Sequence, residues 1–257
     1  MARWTAFPYL GEFEWDAPRL HRHWARLHAG DAEPLPTDKA VLAGWLLFHR
    51  GEFQAAHEAG LALGPSGTTL ANKAAAMHAT YLEKKEKTKL DLFLEVARRA
   101  EERARAEPDN ANAWYWQAYA LGRYSQGISV AKALAQGLGS KVKSALERAI
   151  ALQPRHADAH IALGAFHAEV IDKVGTLIGG MTYGAKKDVG LRLFRQGLEL
   201  NPGSAIALVE YANGLVMLEG DRKMKEATRL YEQAAKSRPI DAKERLEMEM
   251  ARSELED

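Results

Sequence analysis

The sequence contains no cysteine among its 257 residues. Disulfide bridges, thiolate zinc sites, cysteine nucleophiles and lipid anchors on cysteine are therefore excluded. An excess of charge of one sign is also lacking, since 35 lysines and arginines balance 34 aspartates and glutamates. No strong electrostatic field would attract nucleic acid or an anionic membrane, and we expect no nucleic acid as a partner.

Long apolar runs are missing as well. No window approaches the roughly 20 apolar residues of a membrane-spanning helix. Pro8, Glu12, Glu14 and Asp16 interrupt the N-terminal stretch in which a secretory signal would need an unbroken apolar segment. We therefore expect a cytoplasmic protein without a membrane span. Hydrophobic residues nonetheless make up 47% of the chain, which is enough to bury a sizeable core.

The sequence does contain an internal repeat. Three segments share a proline, two polar or small residues, Ala-x-Ala and then a large residue: AEPDNANAW (106–114), LQPRHADAH (152–160) and LNPGSAIAL (200–208). An amphipathic helix precedes each proline, which ends that helix or begins the next. Short polar residues such as Asp109, Asn110 and Ser204 are suited to cap the following helix. The repetition of helix, short turn and helix predicts an all-α protein, an α-solenoid.

The repeats match the tetratricopeptide (TPR) pattern, in which small residues let paired helices approach closely and large residues fill the gaps. In the last unit, Leu208, Tyr211 and Ala212 on the first helix are followed by Ala227 and Tyr231 on the second. About five TPR-like helix pairs are predicted, at residues 39–65, 68–108, 111–154, 157–202 and 205–239.

The two ends of the chain are predicted to close this array of repeats over residues 39–240. Residues 1–38 are rich in aromatic side chains, and we expect this N-terminal segment to pack on the first repeat or to enter its groove. Residues 241–257 are expected to form a capping helix with acidic residues such as Glu247 on its solvent-facing side.

Two of the units are longer than the 34 residues of a TPR. Pro154 lies 46 residues after Pro108 and 48 residues before Pro202, so both units carry long connections between their first and second helices, at 127–141 and 172–188. The second connection mixes apolar residues with glycines, which permit tight bends, and is expected to form a lid. The lid residues would be Leu177, Ile178, Met181 and Tyr183. Alternatively, the two connections pack on each other or form a contact in a homo-oligomer.

Long connections in consecutive repeats make the sequence similar to the regulator-of-microtubule-dynamics family and to the related T-component proteins of bacterial TRAP transporters. The resemblance rests on the block Trp114–Arg123, on SALERAIALQPRHADAHIALGAFHAEV (144–170), on the apolar insertion after it and on FRQGLELNP (194–202). It covers roughly residues 65–255 and implies a helical-repeat scaffold. T-component proteins are exported and usually lipid-anchored, whereas this chain shows neither a signal nor a cysteine, so the resemblance leaves the partner open.

The first helix of each pair lines a concave groove in TPR proteins, and mapping those positions onto this chain yields eight groove candidates. They are Trp45, His49, Asn112, Tyr115, Tyr119, Arg123, Glu169 and Asn213. Aromatic rings with a few polar groups and one guanidinium suit a peptide or a small amphipathic ligand. Alternatively, Tyr115 and Tyr119 merely cover neighbouring helices or pack under the N-terminal segment. The clamp with which some TPR domains hold acidic C-terminal tails is not found.

No catalytic, metal or cofactor site is predicted. Residues 137–141 lack the spacing and the preceding strand of a phosphate loop, and no serine–histidine–aspartate arrangement appears. His160 and His167 fall at core positions of a TPR, and two ligands alone do not make a metal site. We therefore predict a non-enzymatic scaffold that binds a protein or peptide partner in its groove. The alternative is a carrier or sensor of a small amphipathic ligand, related to T-component proteins, with an enclosed pore beneath the connections.

Overall fold

A computed structural model describes residues 3–256, which form helices joined by turns with no β-strand among them. The chain divides into two compact units. The first comprises residues 3–28, 33–152 and 240–243, and the second comprises residues 29–32, 153–239 and 244–256. The division falls between the third and fourth of the predicted repeats, at residues 152 and 153.

The first unit contains three helix pairs and most of the N-terminal segment. Its helices are α1 (Ala17–Leu27), α2 (Lys39–Arg50), α3 (Phe53–Ala62), α4 (Thr68–Tyr81), α5 (Glu86–Ala106), α6 (Ala111–Gln126), α7 (Val130–Ala135) and α8 (Leu138–Leu152). Helix α2 packs on α3, α4 on α5, and α6 on α8. The connection predicted at 127–141 forms the short helix α7 and the first turn of α8.

The second unit contains the two remaining helix pairs and most of the C-terminal helix. Its helices are α9 (Ala157–Tyr183), α10 (Lys187–Leu200), α11 (Ala205–Glu219), α12 (Met224–Ala235) and α13 (Ala242–Ser253). Helix α9 packs on α10 and α11, and α11 packs on α12.

The three proline-containing segments adopt the same turn, and in each of them one side chain caps the next helix. The capping residues are Asn110, His156 and Ser204, each of which accepts a hydrogen bond from the backbone N–H three residues later, at 3.1–3.2 Å. The prediction for Asn110 and Ser204 is confirmed, while Asp109 instead pairs with Arg148 at 3.2 Å. His156 was not anticipated, because histidine is not among the preferred capping residues.

Phe194 on α10 lies at the centre of the core of the second unit. Its side chain is fully buried, and its ring stacks on that of Tyr211 with 5.4 Å between centroids. Gly164 and Gly214 contact the ring, and a Cβ atom at Gly214 would lie only 2.4 Å from Phe194 Cε2. Glycine at position 214 therefore allows α11 to approach α10 closely.

Helix α9 is bent at Gly175, whose φ of 81° and ψ of 160° are not helical. The residues on either side of this bend contact each other. The ring centroids of Phe166 and Tyr183 are 6.3 Å apart, and a Cβ atom at Gly179 would lie 3.0 Å from Val170 Cγ1. Both pairs are centred on the bend, so residues 176–183 fold back on residues 166–174. We call residues 166–183 the α9 hairpin. The connection predicted at 172–188 is largely helical, because α9 extends to Tyr183 and α10 begins at Lys187.

The C-terminal helix α13 differs from the expectation in one respect. Glu247 was expected on the solvent-facing side, but only 2% of its surface is exposed. Leu246 and Met248 on either side of it are also buried, so a broad face of α13 is covered. A pattern of acidic residues in a terminal helix does not reveal how wide the covered face is.

Candidate functional site

Trp45 and His49, the groove candidates of α2, are buried, with 1% and 0% of their surfaces exposed. Two rings of the N-terminal segment contact them. The ring centroid of Trp24 lies 5.6 Å from that of Trp45, and that of His28 lies 5.4 Å from that of His49. Aromatic side chains of the N-terminal segment therefore cover these two residues, and their role in a binding groove stays a prediction.

A second segment of the chain also engages His49. Its Nδ1 atom lies 2.7 Å from Oδ2 of Asp241, and both side chains are at most 3% exposed. Residues 240–243 belong to the first unit, although Asp241 lies 192 positions from His49 in the sequence. Removing either member of such a buried pair leaves the other desolvated, so each depends on the other.

Asn112, the first groove candidate of α6, is bound by a carboxylate of the same chain. Its Nδ2 atom donates a hydrogen bond to Oε2 of Glu33 at 2.6 Å. Trp24 donates its indole N–H to the carbonyl oxygen of Glu33 at 2.8 Å, which holds the backbone at that point. The N-terminal segment thus contacts groove candidates on two first helices of the first unit, α2 and α6.

The remaining groove candidates of α6 lie further along this helix. Tyr115 is buried, whereas Tyr119 and Arg123 are half-buried. The hydroxyl of Tyr119 lies 2.8 Å from Oγ1 of Thr80 on α4, and the guanidinium carbon of Arg123 lies 5.4 Å from the Tyr119 ring centroid. Arg123 also donates a hydrogen bond to Gln126 at 3.3 Å. Tyr119 and Arg123 therefore form a partly accessible pair of aromatic ring and cation, which we call the α6 pair.

The groove candidates of the second unit are half-buried and engaged by neighbouring side chains. Glu169 on α9 forms an ion pair with Lys173 at 3.5 Å. Asn213 on α11 accepts a hydrogen bond from the hydroxyl of Tyr231 on α12. Burial raises the pKa of that tyrosine above its ordinary value. Asn213 therefore also links the two helices of its repeat.

Two residues beside the groove candidates were not anticipated from the sequence. Thr80 was not anticipated as the partner of Tyr119. Lys73 is buried on α4, with its ammonium nitrogen 5.4 Å from the ring centroid of Trp45 and 5.3 Å from that of Phe48. The only signal in the sequence is a lysine within a stretch of alanines, and this does not show that aromatic rings surround it.

The buried histidines have structural partners. His160 Nε2 lies 3.0 Å from the carbonyl oxygen of Pro154, and His167 Nδ1 accepts the backbone N–H of Lys186 at 3.1 Å. His78 stacks on Trp4 with 4.3 Å between centroids, and its burial lowers its pKa to about 4. Within residues 3–256, no cluster of three or more histidine, aspartate or glutamate side chains is arranged to hold a metal ion.

An open cleft of about 720 Å³ lies beside the N-terminal segment. Its lining includes Phe13, Trp15, Arg19 and Arg50. The carrier hypothesis predicts a small-ligand site in an enclosed pore beneath the two long connections, but this cleft lies elsewhere in the chain and opens to solvent.

A family model described as regulator of microtubule dynamics protein 1-3 matches residues 66–256. The chain belongs to this family. The matched region of the regulator-of-microtubule-dynamics family runs from α4 to α13 and includes the groove candidates from Asn112 to Asn213. Helices α1, α2 and α3, with Trp45 and His49, precede the matched region.

The fold is that of a TPR protein. The crystal structure of a thermophilic TPR protein from Thermus thermophilus superposes with a TM-score of 0.58 at 17% sequence identity, over 83% of this chain and 97% of that one. A search of curated proteins finds no match. None of the helices within residues 3–256 is both long enough and apolar enough to cross a membrane. Membership of the regulator-of-microtubule-dynamics family and a TPR fold indicate a helical-repeat protein of the kind that serves as an interaction scaffold.

Proposed function

We propose that this chain is a non-enzymatic scaffold that binds a segment of a protein partner on the first helices of its repeats, with the α6 pair as the first contact. The observation that carries the proposal is that Tyr119 and Arg123 are half-buried and adjacent. In the same unit, Trp45, His49 and Asn112 already contact the N-terminal segment or Asp241. The α6 pair is therefore the part of the predicted groove in the first unit that a partner would reach first.

The chemistry of the α6 pair favours a particular kind of partner segment. A guanidinium binds a carboxylate with directed hydrogen bonds, and a tyrosine ring offers a flat apolar surface beside it. Thr80 fixes the Tyr119 hydroxyl, so the ring is already ordered before binding. We infer that the partner supplies an acidic side chain to Arg123 and an apolar side chain to Tyr119.

The contact between Glu33 and Asn112 supports an acidic partner. Here a carboxylate of the chain itself accepts a hydrogen bond from a groove candidate at 2.6 Å. This contact resembles the one that we propose for Arg123, which lies about three helical turns further along α6. A partner would reach Asn112, Trp45 and His49 only after the N-terminal segment moves away, so the segment would limit the length of groove that a partner occupies.

The test compares the wild-type chain with a Tyr119→Ala, Arg123→Glu double variant in a tagged capture from native cell extract. Arg98→Glu is the matched control, because Arg98 is an exposed arginine on α5 in the same unit. We expect a protein that the wild type and the control retain and that the double variant loses, with the circular dichroism of all three unchanged.

Two outcomes would contradict the proposal. A partner that the folded double variant retains in full would remove the α6 pair from the binding site. If no protein is captured and native mass spectrometry shows a small molecule retained by the purified chain, the carrier hypothesis would replace the scaffold hypothesis.

A further inference from the structure

The α9 hairpin has an apolar side chain at each of three positions that face solvent. Leu177, Ile178 and Met181 are 75%, 58% and 82% exposed. At 100° per residue they lie within an arc of about 100° on one side of the helical turns at 176–183. We call these three residues the outer face of the hairpin.

The opposite side of the same turns packs on the rest of the hairpin. Gly179 is buried against Val170, and Tyr183 lies edge-on to Phe166. A surface helix ordinarily buries its apolar side and exposes polar residues. Here glycine permits the close inner contact, while leucine, isoleucine and methionine point outwards. Packing within the hairpin therefore does not explain the composition of the outer face, and contiguous exposed apolar residues usually mark an interaction surface.

Charged side chains are absent from the end of the hairpin. Residues 174–185 include none, and their polar members are threonines and one tyrosine. At the base of the hairpin, Lys173, Lys186 and Lys187 are offset by Asp172 and Asp188. Lys187 also pairs with Glu219 at 2.8 Å. The outer face therefore offers apolar contact with little electrostatic attraction for either sign of charge.

We propose that the outer face of the α9 hairpin inserts into the surface of a lipid bilayer, at defects in headgroup packing. A stable protein–protein interface engages about 20–30 residues a side, which is far more than three apolar residues on two helical turns provide. Insertion into lipid needs no complementary partner surface, and helices that bind by apolar insertion with few charges respond to membrane curvature.

The expected affinity is low. Together the three side chains carry about as many apolar atoms as a myristoyl chain, which alone gives marginal, reversible binding with an association constant on the order of 10⁴ M⁻¹. Because the charges at the base nearly cancel, binding should change little between neutral and anionic lipid and between low and high salt. Small, highly curved vesicles should bind more protein than large ones of the same composition.

The experiment is sedimentation of the full chain with phosphatidylcholine vesicles of two diameters at millimolar lipid, repeated with phosphatidylserine added. Leu177→Ser with Met181→Ser should lower binding by more than about tenfold, since each buried CH₂ group accounts for roughly a fourfold change. Val130→Ser with Leu134→Ser is the matched control, because these residues of α7 are also 45% and 47% exposed. The control should bind as the wild type does.

Several results would overturn the inference. They are no sedimentation of the wild type with any vesicle, equal binding by the Leu177 and Met181 variant, or binding that requires anionic lipid and disappears in salt. Self-association that the same variant abolishes, without vesicle binding, would assign the outer face to a second copy of the chain. The Tyr119→Ala, Arg123→Glu variant should still bind vesicles, so this inference and the proposed scaffold function can fail separately.

Discussion

The substitution Gly214→Ala provides a direct test of how closely the repeats of the second unit pack. A Cβ atom at this position would lie 2.4 Å from Cε2 and 2.6 Å from Cζ of Phe194. The Phe194 ring cannot easily retreat, because it is fully buried. Its Cδ1 and Cγ atoms also lie only 3.1 Å from the position that a Cβ atom of residue 164 would take. The added methyl group must therefore move a helix or force the ring from its preferred rotamer.

The size of the effect follows from two opposing contributions. Alanine in place of glycine in a helix interior normally stabilises a protein by about 0.5–1 kcal/mol. An extra carbon in a packed core costs about 1–3 kcal/mol. We therefore expect Gly214→Ala to lower the free energy of unfolding by about 1–2 kcal/mol overall. Gly122 on α6 is the matched control, since a Cβ atom there would meet nothing within 4 Å; Gly122→Ala should raise stability by about 0.5–1 kcal/mol.

Urea unfolding followed by circular dichroism would measure both variants. The two midpoints should shift in opposite directions, and combining Gly214→Ala with Phe194→Leu should cost less than the sum of the single changes, because a smaller side chain relieves the contact. If Gly214→Ala were as stable as Gly122→Ala, the close approach of α11 to α10 would be refuted.

Two further predictions concern buried polar groups of the first unit. Burial lowers the pKa of His78 to about 4 from its ordinary 6.5, so its contribution to stability is fully present above pH 6.5 and is lost as the pH falls towards 4. The loss of stability totals about 3 kcal/mol. The free energy of unfolding of a His78→Phe variant, measured in urea, should therefore depend less on pH over that range. If it depended on pH as strongly as that of the wild type, the assignment to His78 would be wrong. Asp241→Ala should lower the free energy of unfolding by about 1–3 kcal/mol, because it leaves the Nδ1 atom of His49 buried without this hydrogen-bond partner. His49→Phe combined with Asp241→Ala should then add little, and fully additive effects would argue against the pair.

Much of the fold could be predicted from the sequence because TPR packing depends on residues that lie close together in the chain. Each proline turn, its capping residue and the helical period after it occur within a few residues, so Asn110 and Ser204 could be assigned as caps from the sequence pattern alone. The ranges predicted for the five repeats contain the helices α2 to α12. Membership of the regulator-of-microtubule-dynamics family was likewise indicated by the long connections within consecutive repeats.

The environment of the groove candidates could not be predicted, since it depends on contacts between residues far apart in sequence. The pattern placed Trp45 and His49 on the first helix of a repeat but could not show that Trp24, His28 and Asp241 cover them. Glycine at 175 signalled a bend, but only the pairing of residues across it shows that α9 folds back and leaves its apolar side exposed. The sequence by itself thus determined the repeating helices and their local turns, which short-range sterics and capping control. Only the tertiary structure decided which surfaces stay open, because distant segments compete for the same apolar and hydrogen-bonding groups.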